Sequence, residues 1–378
     1  MFRNRFYSSI PRSLTRSIHI AASLRSNFAF VFDIDGVLIR GEKPIPQAKT
    51  ALQLLNKHKI PYILMTNGGG VHEYEKAQEV ERIHDNEIKI DPLQIVQSHT
   101  PMKALATSSN SFNRVLVVGG VNDNARKVAL DYGFKDVIIP MDIVLTEPSI
   151  SPHHTYSIEQ LEKFATKMDL AKPIEAILVF NDPRDMSTDI QIVMDLLNSK
   201  HGLIGTKRDI YKVRDKKDPS IPIIFSNNDF VYSNDFSLPR FGQGAYRIII
   251  KELYKEVMGL KEGENLNSLI MGKPFKIQYD FAHHVLINWQ KEEKDTFPSL
   301  GHTPSSTPFK QIYMVGDNPA SDIEGANLHG WESILLRTGV YKDEDWDYIK
   351  AKPTVGVFDN VEDAIRKVLQ DHGMKVDE

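Results

Sequence analysis

Two aspartates, Asp33 and Asp35, stand directly after the first strongly apolar run of the chain, Asn27–Phe32. Side chains alternate along an extended chain, so both carboxylates are expected on the same side. Two acids this close repel each other unless protons or a cation intervene. The pair therefore suits a nucleophile, a general acid/base or a metal site. Structural turns and calcium loops use the same pattern, so the motif taken alone leaves both interpretations open.

Three further clusters contain the residue types that phosphate chemistry uses. Thr66 begins the run Thr-Asn-Gly-Gly-Gly, whose hydroxyl, amide and backbone N–H groups can donate to phosphate oxygens. Lys273 stands between a glycine and a proline, and Asp317 and Asp322 belong to the run Gly-Asp-Asn-Pro-Ala-Ser-Asp. Each cluster also has an ordinary structural explanation: a flexible turn, a solvated lysine, or an N-cap at Asp322.

These clusters lie at or near the ends of short apolar segments that are typical of buried strands. Asn27–Phe32 and Pro61–Thr66 flank a helical pattern at Ile45–Lys59, and Gln311–Val315 leads into a helix that ends at Gly330. Strand–helix–strand units with short links predict an α/β fold with a parallel sheet. Such sheets bind ligands beyond the carboxyl ends of their strands, so the clusters are expected at one edge.

The middle of the chain has its own alternation of strands and helices. Arg114–Val118 and Glu175–Phe180 are apolar runs typical of strands, and helical patterns follow them. We therefore predict an inserted α/β domain at 98–240. It would separate a first core segment at 27–97 from a second at 241–378.

The first 26 residues differ in composition from the remainder. They are rich in arginine and serine, and no acidic residue precedes Asp33. This composition is typical of a mitochondrial transit peptide, and a disordered basic tail is the alternative. We predict a presequence at 1–26 and a mitochondrial protein, with the matrix as its compartment.

Composition excludes several classes of protein. The chain has 378 residues, 41% of them hydrophobic, and a formal net charge of −4, without the basic excess of a nucleic-acid binder. No stretch is long and apolar enough to predict a transmembrane helix. The chain has no cysteine, which rules out thiolate chemistry and leaves carboxylates and imidazoles as strong metal ligands.

Taken together, the four clusters resemble the motifs of the haloacid dehalogenase (HAD) superfamily in residue type and order. The resemblance covers nearly everything after the presequence. It implies a Rossmann-like core, and the long gap between Thr66 and Lys273 is where that superfamily carries a C2-type cap. The chain thus resembles class IIA. The segments Val179–Arg184, Phe241–Ala245 and Tyr279–Val285 are similar to the branch of cat eye syndrome critical region protein 5 and its fungal mitochondrial relatives.

The resemblance implies roles for the acids. Asp33 would be the nucleophile and Asp35 the general acid and base. Mg²⁺ would be held by Asp33, Asp317 and the backbone carbonyl of Asp35, and oxygen ligands suit that ion. Asp322 would orient the metal shell or Lys273.

The resemblance also implies a phosphate-binding group made of Thr66, the backbone near Asn67 and Gly68, and Lys273. These groups would stabilise the charge on the transferring oxygens.

The expected function is a magnesium-dependent phosphatase that hydrolyses a small organic phosphate monoester through an aspartyl-phosphate. Phospholipid or cofactor metabolism would suit a mitochondrial address. A scaffold protein with negligible turnover is the alternative, and dehalogenase or phosphomutase chemistry is a weaker one. We expect no nucleic-acid partner. A homodimer through the cap is common in similar proteins.

Overall fold

The computed structural model describes residues 26–107, 112–232, 236, 238, 240–291 and 300–376. The predicted presequence at 1–26 lies outside the described residues, except for Ser26. Within the described part of the chain, no helix has both the length and the apolar character needed to cross a membrane.

The strands and α-helices alternate along most of the chain. The strands are β1 Phe28–Phe32, β2 Ile39–Arg40, β3 Lys43–Pro44, β4 Tyr62–Met65, β5 Ile95–Val96, β6 Arg114–Val118, β7 Asp136–Ile138, β8 Ala176–Val179, β9 Ile223–Phe225, β10 Val231–Tyr232, β11 Arg240–Phe241, β12 Leu269–Ile270, β13 Gln311–Gly316, β14 Glu332–Leu336 and β15 Gly356–Phe358. The helices are α1 Pro46–His58, α2 Glu73–Ile83, α3 Lys103–Thr107, α4 Asn124–Asp131, α5 Pro140–Thr146, α6 Ile158–Phe164, α7 Met186–Leu197, α8 Gln243–Met258, α9 Lys276–Lys291, α10 Glu324–His329 and α11 Val361–Asp371.

The core is a six-stranded parallel sheet in the order β15-β14-β13-β1-β4-β5. All five residues of β1 are buried, as expected for a strand covered on both faces. Helices α1, α2 and α11 contribute to the apolar cluster on one face, and α9 and α10 contribute to that on the other. The predicted α/β fold with a parallel sheet is confirmed.

Helix α1 illustrates how local sequence defines these elements. Pro46 occupies the start of the helix, where its missing N–H costs no hydrogen bond. The apolar residues Leu52 and Leu55 recur at helical spacing and are fully buried against the core sheet. Lys59 ends the helix in the left-handed conformation, with its N–H donating to Asn56 O at 3.1 Å.

The inserted domain, here called the cap, is built on a second parallel sheet, ordered β12-β9-β8-β6-β7. Strand β12 pairs with β9, and α8 buries Tyr246 and Ile250 in the apolar cluster of the cap. Both elements fall within 241–378, the stretch that the sequence pattern assigns to the second core segment. We therefore propose that the cap ends near Met271 and not at 240. The amphipathic pattern of α8 shows that one face is buried, but it does not identify the sheet against which that face packs.

Candidate active site

The two central acids follow neighbouring strands of the core sheet. Asp33 comes directly after β1, Asp317 comes directly after β13, and these strands pair in parallel with Phe32 opposite Val315. The backbone N–H of Asp33 donates to Val315 O at 2.9 Å. The chain runs from β1 toward β4 on one side, while β13 lies on the other, so the acids stand at the point where the strand order reverses. Ligands bind at this point in open α/β sheets.

Lys273 bridges two carboxylates from different parts of the chain. Its Nζ lies 2.7 Å from Asp33 Oδ1 and 2.6 Å from Asp322 Oδ1. All three side chains are buried. Asp322 also accepts from the backbone N–H of Asn318 through Oδ2, at 3.0 Å. Both oxygens of Asp322 are therefore engaged, and the residue holds Lys273 in position beside Asp33.

Asp317 is fixed by the loop that follows β14. Its Oδ2 accepts from the backbone N–H of Val340 at 2.6 Å. A Cβ added at Gly36 would lie 2.5 Å from Asp317 Cγ, and one at Gly339 would lie 1.9 Å from Asp317 Oδ2. Glycine at these two positions lets both backbones approach the carboxylate closely.

Burial, together with crowding of like charges, perturbs the pKa values of the acids. Burial raises the pKa of Asp33 well above its usual range; Lys273 opposes this shift, and Asp322, Asp317 and Asp35 add to it. Burial and the neighbouring Asp322 raise the pKa of Asp317 to about 7. In Lys273, burial opposes the charge, but Asp322 and Asp33 outweigh it and raise the pKa.

Asp35 lies at the solvent side of the site, with an exposed side chain. The surrounding protein atoms still desolvate the carboxylate enough to raise its pKa, while Lys76 opposes this shift and Glu79 adds to it. A Cβ at Gly68 would lie 4.0 Å from Asp35 Oδ2 and 3.3 Å from Thr66 Oγ1. Asp35 therefore lies near the glycine run that follows β4.

Thr66–Gly70, here called the phosphate loop, is held by both domains. Thr66 Oγ1 accepts from the N–H of Gly68 at 2.9 Å. Gly68 O accepts from the N–H of Ser98 at 3.3 Å, and Gly69 O accepts from Nδ2 of the cap residue Asn181 at 2.9 Å. The loop therefore contacts the cap and also the two residues Ser98 and His99, here called the crossover, through which the chain passes from the core to the cap.

The side chain of Asn67 is fully engaged by the backbone of Lys273 and by the cap. Its Oδ1 accepts from the N–H of Lys273 at 2.8 Å, and its Nδ2 donates to Lys273 O at 3.1 Å. The same Nδ2 lies 3.1 Å from both carboxylate oxygens of Asp229 in the cap. Any contact of Asn67 with substrate would therefore come from its backbone.

Comparison with known proteins identifies the family. The model for haloacid dehalogenase-like hydrolases matches residues 30–135, and the HAD-hydrolase-like model matches residues 270–364. The Mitochondrial hydrolase YKR070W of Saccharomyces cerevisiae is 46% identical over 352 residues, covering 90% of this chain and 95% of that protein. The chain belongs to the HAD-like hydrolases. The family expected from the four motifs is confirmed, and with it the assignment as an enzyme.

One further relative and one solved structure resemble this HAD-like hydrolase to different extents. The cardiolipin synthase (CMP-forming) / mitochondrial hydrolase fusion protein of Schizosaccharomyces pombe is 39% identical over 369 residues. The match covers 96% of this chain but only 57% of the fusion protein. A glycerol phosphate phosphatase from Mycobacterium tuberculosis, solved in complex with magnesium, has a TM-score of 0.54 and 15% identity. The structural match covers 89% of this chain and 75% of the phosphatase chain, and it supports the fold alone.

The acidic cluster of this hydrolase fits a divalent cation. Single ligand atoms of Asp33, Asp317 and Asp322 all lie within 4.8 Å of one another. The buried carboxylates of Asp33 and Asp317, whose pKa values are raised, suit a hard cation, which relieves their repulsion. The side chain of Asp35 is not part of this group, so the predicted contribution of Asp35 would come from its backbone carbonyl. Since Asp322 is engaged with Lys273 and Asn318, Asp33 and Asp317 are the better ligands.

Several residues of the site went unrecognised in the sequence. Asp229 and Asn227 follow β9, and Asn227 Nδ2 donates to Asn67 O at 3.1 Å. The polar run Ser-Asn-Asn-Asp at the end of this apolar strand was the available signal. The residues that surround the phosphate loop from the crossover, chiefly His99, carry no such local signal.

Proposed function

We propose that this hydrolase is a magnesium-dependent phosphatase that acts on small organic phosphate monoesters. One observation carries the proposal: Lys273 holds Asp33 at a strand tip, and ligand oxygens of Asp33 and Asp317 lie within 4.8 Å of each other. A carboxylate nucleophile divides hydrolysis into two easier steps.

Asp33 would attack phosphorus and form an aspartyl-phosphate as the bond to the leaving oxygen breaks. Protonated Asp35 would give its proton to that oxygen, and its raised pKa supports this role. In the second step Asp35 would take a proton from the attacking water. Phosphate would then leave and the Asp33 carboxylate would be restored.

Thr66 and Lys273 would bind the transferring oxygens, and the N–H of Gly68 would join them by exchanging Thr66 Oγ1 for a phosphate oxygen. Because Thr66 Oγ1 accepts from Gly68 N–H, its own proton remains available for a phosphate oxygen. Lys273 is kept charged between Asp33 and Asp322, so it can neutralise the incoming dianion. Asp33, Asp317 and the carbonyl of Asp35 would hold Mg²⁺, which supplies charge neutralisation between nucleophile and phosphate.

The names of similar proteins support a mitochondrial role. One relative is called a mitochondrial hydrolase, another is a fusion of such a hydrolase with cardiolipin synthase, and a structural neighbour is a glycerol phosphate phosphatase. We therefore propose a mitochondrial enzyme, with the matrix as its compartment, that acts in phospholipid metabolism on a phosphate monoester of glycerol-like size.

The proposed chemistry is tested by Asp33→Asn with p-nitrophenyl phosphate and Mg²⁺. Phosphate release should fall by at least about 1000-fold, because the amide is a poor nucleophile. Asp347→Asn is the matched control, since Asp347 is an exposed aspartate outside the site. Unchanged turnover in Asp33→Asn, with Mg²⁺ dependence retained, would contradict the mechanism.

We also propose that two copies associate through the cap. Helix α8 exposes Leu253 and Val257, which lie one turn apart on the same face of the helix. Leu253→Glu should convert a dimer to a monomer in light scattering, and a wild-type monomer would contradict the proposal.

A further inference from the structure

His99 lies where the core, the cap and the phosphate loop meet. The residue is fully buried. Its ring stacks on Phe180 of the cap, with centroids 5.2 Å apart and planes 7° apart. Its Nδ1 lies 2.8 Å from the hydroxyl of Tyr132, which follows α4 of the cap. A Cβ at Gly69 would lie only 2.6 Å from His99 Cδ2, so the ring packs directly against the phosphate loop.

The hydrogen bonds around Tyr132 determine which nitrogen of His99 carries the proton. The Tyr132 hydroxyl donates to Glu73 Oε1 at 2.6 Å. The same oxygen accepts from Thr100 Oγ1 at 2.8 Å and lies 3.2 Å from Lys103 Nζ. Burial opposes the charge of Glu73, but its neighbours, led by the ammonium of Lys103, outweigh burial and lower its pKa, so Glu73 is an acceptor.

Because the single proton of Tyr132 goes to Glu73, the hydroxyl oxygen must accept from Nδ1–H of His99. Burial lowers the pKa of His99 to about 4, so the ring is neutral at pH 7. A neutral ring with its proton on Nδ1 has a lone pair on Nε2. Nε2 has no hydrogen-bond partner among the described residues, and a Cβ at Gly69 would lie 3.2 Å from it.

The remaining loop contacts show why this ring matters. Asn181, which follows β8 in the cap, binds Gly69 O, and Ser98, next to His99, binds Gly68 O. The phosphate loop is thus fixed from its far side by crossover and cap residues, while Thr66 and Gly68 face the acids.

We propose that His99 is a positioning residue for phosphoryl transfer: Glu73 and Tyr132 fix its ring, and the ring holds the phosphate loop against the cap. Its Nε2 would accept a hydrogen bond from an N–H of the phosphate loop. This bond would form when the loop closes on a phosphate group. This inference rests on the proposed phosphatase function.

The first test is Tyr132→Phe, which keeps the buried ring but removes the hydroxyl. The KM for p-nitrophenyl phosphate and the inhibition constant of orthovanadate should both rise, on the order of 10-fold to 100-fold, because the loop is displaced. Half-saturation by Mg²⁺ should not change. Tyr313→Phe is the matched control, since Tyr313 also bonds a histidine, His372, at 3.0 Å, but lies in the middle of β13. Equal effects in both variants, or none in Tyr132→Phe, would overturn the proposal.

The second test does not depend on turnover. Amide hydrogen exchange in residues 66–70 should be faster in Tyr132→Phe than in wild type, while exchange in β14 should stay the same. Nitrogen NMR of His99 should give a neutral ring with the proton on Nδ1 in wild type, and Tyr132→Phe should lose that preference. Unchanged exchange and tautomer would overturn the inference even if Asp33→Asn abolishes catalysis. The changes in exchange and tautomer would support it even if phosphatase activity proves absent.

If Tyr132→Phe does not fold, His99→Asn and His99→Gln provide the test. Asparagine can place a donor near the Nδ1 position, and glutamine can place a polar group near the Nε2 position. Glutamine should keep more of the affinity for orthovanadate, because the proposed loop contact is made through Nε2. Equal affinity in both variants and wild type would overturn the proposal.

Discussion

The side-chain amide of Asn67 brackets the backbone of Lys273, accepting from its N–H at 2.8 Å and donating to its carbonyl at 3.1 Å. This pair of bonds joins the phosphate loop to the segment that carries the lysine. The same Nδ2 contacts Asp229 of the cap. This one side-chain amide thus links the phosphate loop to both Lys273 and the cap, and it fixes their relative positions.

Asn67→Ala should therefore reduce both stability and catalysis. Losing buried hydrogen bonds costs about 1–3 kcal/mol of unfolding free energy, measured by urea denaturation. The displaced lysine should lower kcat/KM by about 10-fold to 100-fold. Asn327→Ala is the control, because Asn327 also joins two segments, through Lys352 O at 2.9 Å and Ser333 Oγ at 2.6 Å. It should lose stability alone; comparable kcat/KM losses in both variants would contradict the assignment.

Asp322 should prove structurally necessary for Lys273. Asp322→Ala leaves the lysine with a single carboxylate and the Asn318 N–H without its acceptor. Breaking a buried ion pair of this kind costs about 3–5 kcal/mol of unfolding free energy. Asp322→Asn keeps an oxygen for Asn318, so it should cost less. Equal losses of stability in denaturant titrations of the two variants would show that the Asn318 contact is unimportant.

The strand-tip acids could be predicted from the sequence because their signals are local. Short, largely buried strands such as β1 and β13 appear as apolar runs, and the polar residue that ends each run marks the edge of the sheet. Thr66 and Asp317 follow from the same reasoning. The order of the motifs then implied the family, which the relatives confirm.

The contacts between domains could not be predicted in this way. Tyr132 and Glu73 are far apart in sequence. Glu73 begins α2 and Tyr132 follows α4, and neither helix has an unusual residue pattern at that position. Their meeting at His99 depends on how the cap sits on the core. The cap boundary that we propose near Met271 lacks a local sequence signal for a related reason, since β12 has only two residues and its pairing with β9 is set by tertiary packing.

The raised pKa of Asp317 predicts how stability depends on pH without metal. Since the pKa is about 7 in the folded protein and 3.8 as the reference value, the folded state holds this proton more tightly. The stabilisation of the folded state that comes from this proton is therefore fully present below about pH 4, and it is lost as pH rises through 7. In EDTA, the Tm of wild type should therefore fall relative to the Tm of Asp317→Asn as pH rises.

Mg²⁺ should reduce that loss, because it binds the ionised carboxylate and stabilises the folded state. Measuring Tm at several pH values between 4.5 and 8, with and without Mg²⁺, checks this. Two results in EDTA would contradict the coupling between the Asp317 proton and stability. The difference in Tm between wild type and Asp317→Asn could be independent of pH, or the Tm of wild type could rise relative to that of the variant as pH rises.

Gly69→Ala tests whether the phosphate loop tolerates any displacement. The added Cβ would lie 2.6 Å from His99 Cδ2, and the ring cannot retreat because Phe180 stacks on it and Tyr132 holds its Nδ1. The loop must move instead, so kcat/KM should fall by about 10-fold to 100-fold. His99→Ala removes the obstacle, and the double variant Gly69→Ala/His99→Ala should lose less activity than the two single effects combined. Strict additivity would mean that the alanine acts through the flexibility of the loop and not through the His99 ring.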